Sequence, residues 1–120
     1  MVGSEQAGQS GQLSVVTTTT DGIRVLTLTG EIDHHTGETL RQALDVPDTA
    51  HPRVVVDLRQ VSFMDSTGIN IFIAAHRALV EAGGWLRLAE AAEAVLRTLQ
   101  IVGVDAVIGC RPTLRQALDH

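Results

Sequence analysis

The sequence predicts an α/β fold: a mixed, mostly parallel β-sheet opened by an N-terminal β-hairpin, with about four helices packed on it. Three observations carry that expectation. Two β-rich runs flank an Asp-Gly dipeptide near the start. A continuous apolar run, Val54-Val55-Val56, sits mid-chain, as in a strand covered on both faces. After the hairpin, helical and strand patterns alternate, which implies parallel strands joined by crossover helices.

Each element follows in order. Residues 1–12, "MVGSEQAGQSGQ", are polar and Gly/Ser-rich and read as a disordered lead-in to a single domain over residues 13–120. "LSVVTTTT" and "IRVLTLTG" are strands, since β-branched residues suit a pleated surface, and Asp21-Gly22 between them favours a tight type I′ turn. "HTGETLRQAL" places Leu40, Ala43 and Leu44 at helical spacing, with Pro47 as its stop. "RVVVDL" is the third strand. From Ser66, the residues Ile69, Phe72, Ile73, His76, Leu79 and Val80 fall at helical spacing until Gly83-Gly84 ends the run. "WLRLA" is the fourth strand, and Val95, Leu96 and Leu99 mark a third helix. "AVIG" is expected as a last short strand, and Pro112 stands where a final helix around Leu114, Ala117 and Leu118 can start.

Bulk properties narrow the function classes. The chain has 120 residues, enough for a core without staples, and a single cysteine, which excludes an internal disulfide and a thiolate zinc cluster. No apolar stretch approaches the length of a membrane span, and no secretory leader pattern opens the chain, so a cytoplasmic location is expected. A formal charge of -5 and three aromatic residues argue against nucleic-acid binding. All 9 basic residues are arginine, which removes Schiff-base and P-loop lysine chemistry.

The most distinctive stretch is "MDSTG", Met64 to Gly68, between the third strand and its following helix. Ligands and partners of open parallel sheets meet the carboxyl ends of strands, and this is one of them. Ser66 is a preferred N-cap, with Asp65 or Thr67 able to take that role, and Asp65 complements the helix dipole. The same helix terminus has free N–H groups that favour a phosphate. A phosphate on Ser66 would add about -1.5 to -2 charge beside Asp65, so the modified state would be tense.

Two stretches carry a family resemblance: "LTGEID" (Leu28 to Asp33) and "VVVDLRQVSFMDSTGI" (Val54 to Ile69). From Leu13 to His120 the chain resembles the anti-sigma factor antagonists, the STAS-domain proteins, and the fold expected is therefore STAS-like. The resemblance implies a partner switch. The antagonist binds an anti-sigma factor, itself a serine kinase of the histidine-kinase-like ATPase fold, and frees a sigma factor. The kinase then phosphorylates the serine of the D-S-[ST]-G motif, which is Ser66 here, and a metal-dependent serine phosphatase resets it. ATP belongs to the kinase, so no cofactor is implied for this chain, and no enzymatic activity. Asp33, Asp65, Ser66, Thr67, Gly68 and Asn70 form the implied partner surface. Asn70 stands where the family often has a small residue, and His34 and His35 follow Asp33, which alters the loop beside the switch. Read from the residues alone, that loop is a turn with Asp33 or Thr36 capping a helix, and Thr67 is an N-terminal helical residue before it is a second phosphosite.

Other readings carry less. The D-[ST]-G fragment of aspartic proteases is interrupted by an extra residue and lacks a second carboxylate. His34 and His35 are expected to point apart, no H-E-x-x-H exists, and His76 reads as a satisfied, half-buried histidine, so no metal is expected. No glycine-rich nucleotide loop is present, and Ser66 lies outside any G-x-S-x-G hydrolase elbow. Cys110 beside Arg111 reads as a small residue at a strand end rather than an activated thiol. The rival within the same fold is a non-phosphorylated STAS scaffold, in a lipid-transport complex or a stress-sensing assembly, with "DSTG" as a cap only. A transporter-attached domain is disfavoured by the lack of membrane segments.

Overall fold

A computed structural model describes residues 12–45 and 50–119. The expected disordered lead-in, save Gln12, and the Pro47 stop lie outside the described residues. The elements are β1 (Leu13–Thr20), β2 (Ile23–Ile32), α1 (Gly37–Ala43), β3 (Arg53–Met64), α2 (Ser66–Glu81), β4 (Trp85–Ala89), α3 (Glu93–Ile101), a 3₁₀ turn (Val104–Ala106), β5 (Gly109–Arg111) and α4 (Leu114–Leu118).

The hairpin forms because Asp21 (φ 52°) and Gly22 (φ 79°) both take the left-handed backbone that a type I′ turn demands. Strand order is β1-β2-β3-β4-β5, with β1 antiparallel to β2 and the other three pairings parallel. The period of two along each strand splits the sheet into two faces. On one face Leu26, Leu28, Val56 and Leu88 pack under α1, α2 and α3, with Phe72 and Leu79 fully buried from α2. On the other, Ile23, Val55 and Ala89 pack against Ala117 of α4, flanked by Trp85 and Leu114. The run Val54-Val55-Val56 is buried on both sides, as its continuous apolar character requires.

Two expectations are corrected. The last strand is not "AVIG" but Gly109–Arg111, because Val104–Ala106 turns into a 3₁₀ helix that buries Val104 and delays the strand. The third strand runs on past "RVVVDL" to Met64. It does so with two register shifts against β2, after Thr27↔Asp57 and after Gly30↔Val61. Asp57 supports the first shift: its buried carboxylate accepts from the Arg59 backbone N–H (2.9 Å) and guanidinium (3.2 Å), serving an amide that the ladder leaves out. Because β4 stops at Ala89, opposite Asp57, β3 runs on beside β2 alone, with β1 flanking β2 as far as Leu13↔Gly30, and only the tip beyond that pair is a two-stranded ribbon. Ile32 pairs with Met64 at its tip, so the segments that begin at Asp33 and Asp65 leave side by side.

Candidate functional site

The site is built on that ribbon tip. The Asp65 backbone N–H donates to the Ile32 carbonyl (3.1 Å), tying the start of α2 to the end of β2. Asp65, and not Ser66, is the N-cap. Its backbone is extended (φ -108°, ψ -168°), and its side chain accepts from the Thr67 N–H at 2.8 Å. Its carbonyl accepts from Gly68 N–H (3.1 Å) and Ile69 N–H (3.4 Å). The Thr67, Gly68 and Ile69 donors at this helix terminus are therefore already engaged by Asp65. A carboxylate occupies the positive end of the dipole, because an acid one residue ahead of the helix reaches N2 better than the first helical residue can.

Ser66 is the first residue of α2 and is exposed. Among the described residues its hydroxyl has no hydrogen-bond partner. Its neighbours hold the backbone beneath it. Gly68 is buried, and a Cβ there would lie 2.6 Å from Ile32 Cγ2 and 2.7 Å from Met64 Cγ. Only a residue without a side chain lets α2 come this close to the ribbon. Thr67 is half-buried, its methyl toward Gly37: a Cβ on Gly37 would meet Thr67 Cγ2 at 2.9 Å. Asn70, one turn along α2, is exposed and rims a groove of about 280 Å³ between α1 and α2, shared with Arg41, Leu44, Ile71, Ala74 and Ala78. Arg41 is held at that rim by Glu38, whose carboxyl it keeps below the ordinary carboxylate range through hydrogen bonds.

The Asp33 loop is a clasp rather than a helix cap. Asp33 is only 8% exposed, and its Oδ1 accepts from the N–H groups of His35 (2.8 Å) and Thr36 (3.2 Å). Thr36, 3% exposed, accepts from the Asp33 N–H (2.9 Å) and donates its hydroxyl to the Glu31 carbonyl (2.9 Å). Thr36 stands at the N-cap of α1 without capping it through its side chain, which closes the loop instead. Both polar side chains are consumed locally, and what the loop presents outward is His34 and His35. Their rings do not point apart: they lie with centroids 4.0 Å apart at 38°, because the Asx turn folds the two residues onto one side.

The sequence-predicted residues thus gather at one end of the sheet, with Ser66, Asn70, His34 and His35 outward and Asp33, Thr67 and Gly68 supporting them. Thr36 and Gly37 were not singled out as site residues. Their signal lies in "DHHTG", an acid three residues before a hydroxyl and a glycine, which is an Asx-turn pattern before a helix. The remaining candidates lie elsewhere. His76 is half-buried as expected but not satisfied: among the described residues its buried Nδ1 has no partner. Cys110 is on β5, and burial pushes its thiol up, with Asp105 adding to the rise and Arg111 opposing it. Among the described residues no group of three or more His, Cys, Asp or Glu is placed to hold a metal ion, and no helix is long and apolar enough to cross a membrane.

Comparison with known proteins agrees with this fold. Residues 14–117 match the family model of the STAS domain. The chain is 33% identical over 90 residues to the anti-sigma-B factor antagonist of Listeria monocytogenes, covering 74% of this chain and 78% of that one. It is 27% identical over 89 residues to the anti-sigma F factor antagonist of Paenibacillus polymyxa, covering 72% and 76%. The crystal structure of an anti-sigma factor antagonist from Mycobacterium paratuberculosis superposes with a TM-score of 0.78 at 30% identity, covering 90% of this chain and 92% of that one. The STAS domain of a SulP transporter from Vibrio cholerae shares the fold at a TM-score of 0.65 and 24% identity, covering 84% and 81%.

Proposed function

The chain belongs to the STAS domain family, and from that membership we propose that it is an anti-sigma factor antagonist switched by phosphorylation at Ser66. Relatives that carry the antagonist name support the general role. The observation that carries the switch is local: an exposed serine with an unengaged hydroxyl, on a helix terminus whose positive end is already filled by Asp65.

In this reading the partner is an anti-sigma factor that is also a serine kinase, met in the cytoplasm. It contacts Ser66 and Asn70 directly, with Asp33, Asp65, Thr67 and Gly68 fixing the two loops that frame them. Transfer of the γ-phosphoryl group of ATP to Ser66 Oγ, with ADP leaving, places a dianion at the centre of that contact. Asp65 already holds the Thr67, Gly68 and Ile69 amides of α2 and repels the charge, so those donors do not receive it. It must be desolvated without a partner when the complex forms, and an uncompensated buried charge costs several kcal/mol. Since about 1.4 kcal/mol is tenfold in affinity, the modification releases the partner with no change of fold. A serine phosphatase restores the binding form.

Incubation of the chain with its cognate anti-sigma kinase and ATP, followed by intact mass, tests the proposal. One added phosphate, absent in Ser66→Ala, is expected. No gain in mass while the complex still forms would leave the non-phosphorylated scaffold, with "DSTG" as a cap alone.

A further inference from the structure

The two edges of the sheet are built differently. β5 is a three-residue edge, Gly109–Arg111, that ends on a charged residue and then Pro112, both of which deter strand pairing. β1 is an eight-residue edge with no charge, no proline and no bulge, and it pairs with β2 at every position from Leu13↔Gly30 to Thr20↔Ile23. Val16, in its middle, is 59% exposed.

The backbone of β1 determines what that edge can bind. Glu31 N–H donates to the Gln12 carbonyl (2.9 Å), so Gln12–Glu31 is a hydrogen-bonded pair, and the two-residue turn closes on another at Thr20–Ile23. Such pairs alternate in an antiparallel ladder. Ser14, Val16 and Thr18 therefore turn their N–H and C=O groups toward β2, while Leu13, Val15, Thr17 and Thr19 turn theirs outward.

We propose that this edge is a self-association surface, on which β1 strands of two copies pair antiparallel about a two-fold axis at Val16. That register sets Leu13 opposite Thr19 and Val15 opposite Thr17, so every outward backbone group of both strands finds a partner. Ser14 lies opposite Thr18, and the two exposed Val16 side chains meet in a non-hydrogen-bonded pair, where Cα atoms approach to about 4.5 Å. Uncharged residues, β-branched save for Leu13 and Ser14, then face one another throughout, with no charge desolvated or opposed. A second copy matches this strip because the strip is complementary to itself, whereas a charged partner strand finds no counter-charge on it. One strand edge is small beside the roughly 1,200–2,000 Å² of a stable complex, so the dimer is weak. The Ser66 site lies at the end of β3, two strands away, and stays open in the dimer.

Sedimentation equilibrium of the full chain from about 10 µM to about 1 mM tests this, a range suited to a small interface. A dimer whose fraction grows with concentration is expected. It should tighten with added salt, because two copies of net charge -5 repel while the interface itself is neutral. Val16→Lys and Val16→Glu should each lower association at least tenfold with unchanged circular dichroism, and an equimolar mixture of the two should restore it. A chain monomeric up to about 1 mM, or a dimer that Val16→Lys leaves intact, overturns the proposal; failure of the mixture to recover overturns the axis at Val16.

Discussion

Arg87 and Glu90, three residues apart around the end of β4, hold opposite ends of the C-terminal helix α4. Glu90 Oε2 accepts from the Leu114 N–H at 2.8 Å, while the Arg87 guanidinium donates to the carbonyls of Ala117 (3.0 Å) and Asp119. An acid stands at the positive end of the helix and a cation at the negative end. A five-residue helix is too short to persist alone, so these contacts and the burial of Ala117 hold it on its face of the sheet. Replacing Arg87 by Ala removes charge-assisted hydrogen bonds and a guanidinium 3.9 Å above the Trp85 ring. A loss of about 2 kcal/mol is expected in urea denaturation. Because Trp85 is the single tryptophan, its emission should report α4 leaving the sheet.

Gly68→Ala should destabilise the fold although alanine is the better helix former. The added methyl would sit 2.6 Å from Ile32 Cγ2 and 2.7 Å from Met64 Cγ, between two buried side chains. Overpacking of this kind costs about 1–3 kcal/mol, which exceeds the helix-propensity gain. A melting temperature equal to or above that of the unchanged protein would contradict the packing assignment.

Asp65→Ala should cost about 1 kcal/mol, the usual loss for an N-cap, whereas Asp65→Asn should retain most of the stability because its amide oxygen can still accept from Thr67 N–H. The same pair separates cap from charge in the switch. With Asn at 65, a phosphate on Ser66 loses a repelling neighbour, so phosphorylation should weaken partner binding less than in the unchanged chain. A calorimetric titration of both phosphorylated forms measures that difference.

The sequence carried the sheet more fully than it carried the site. Hydrophobic period and turn residues are local signals, and they located the hairpin, the buried run at Val54–Val56 and the span of α2. The identity of the cap was not local in the same way: Asp65, Ser66 and Thr67 are all capping residues, and the choice fell to Asp65 when its N–H was drawn to the Ile32 carbonyl of another strand. The extension of β3 to Met64 depends on two register shifts against β2, which no period within β3 reveals. Glu90 takes a left-handed backbone (φ 61°) between its N–H bond to the Arg111 carbonyl and its side-chain bond to Leu114. Those partners lie more than twenty residues away, beyond any short-range pattern. "MDSTG" was legible because its meaning rests on residue types in order; the clasp at Thr36 and Asp33 was not, because it rests on which side chain turns inward.

Cys110 should behave as a protected thiol. Burial is the largest cause of its raised pKa, and Asp105 adds to it against Arg111. The unfolded chain therefore loses the thiol proton first as pH rises. The half-buried neutral thiol contributes no pH dependence below the ordinary thiol range, and stability falls as pH climbs from that range toward the raised folded value. Iodoacetamide at pH 8 should label the folded protein several-fold more slowly than the urea-unfolded chain, since the thiolate is the reactive form. Equal rates would show a thiol that is neither buried nor shifted.

Substitutions at Ser66 should split binding from stability. The side chain is exposed and its hydroxyl engages nothing among the described residues, so Ser66→Ala and Ser66→Glu should each move stability by no more than about 0.5 kcal/mol. The interface reading assigns them opposite fates with the anti-sigma kinase. Ser66→Ala should bind and resist release by ATP, whereas Ser66→Glu should bind at least tenfold more weakly, because its carboxylate is buried beside Asp65 with the Thr67, Gly68 and Ile69 amides already taken. Titration against the kinase, set beside urea denaturation of the same variants, reads both quantities. Equal affinity for the three forms would remove Ser66 from the contact, and a parallel fall in stability and affinity for Ser66→Glu would make its effect one of folding rather than of charge at an interface.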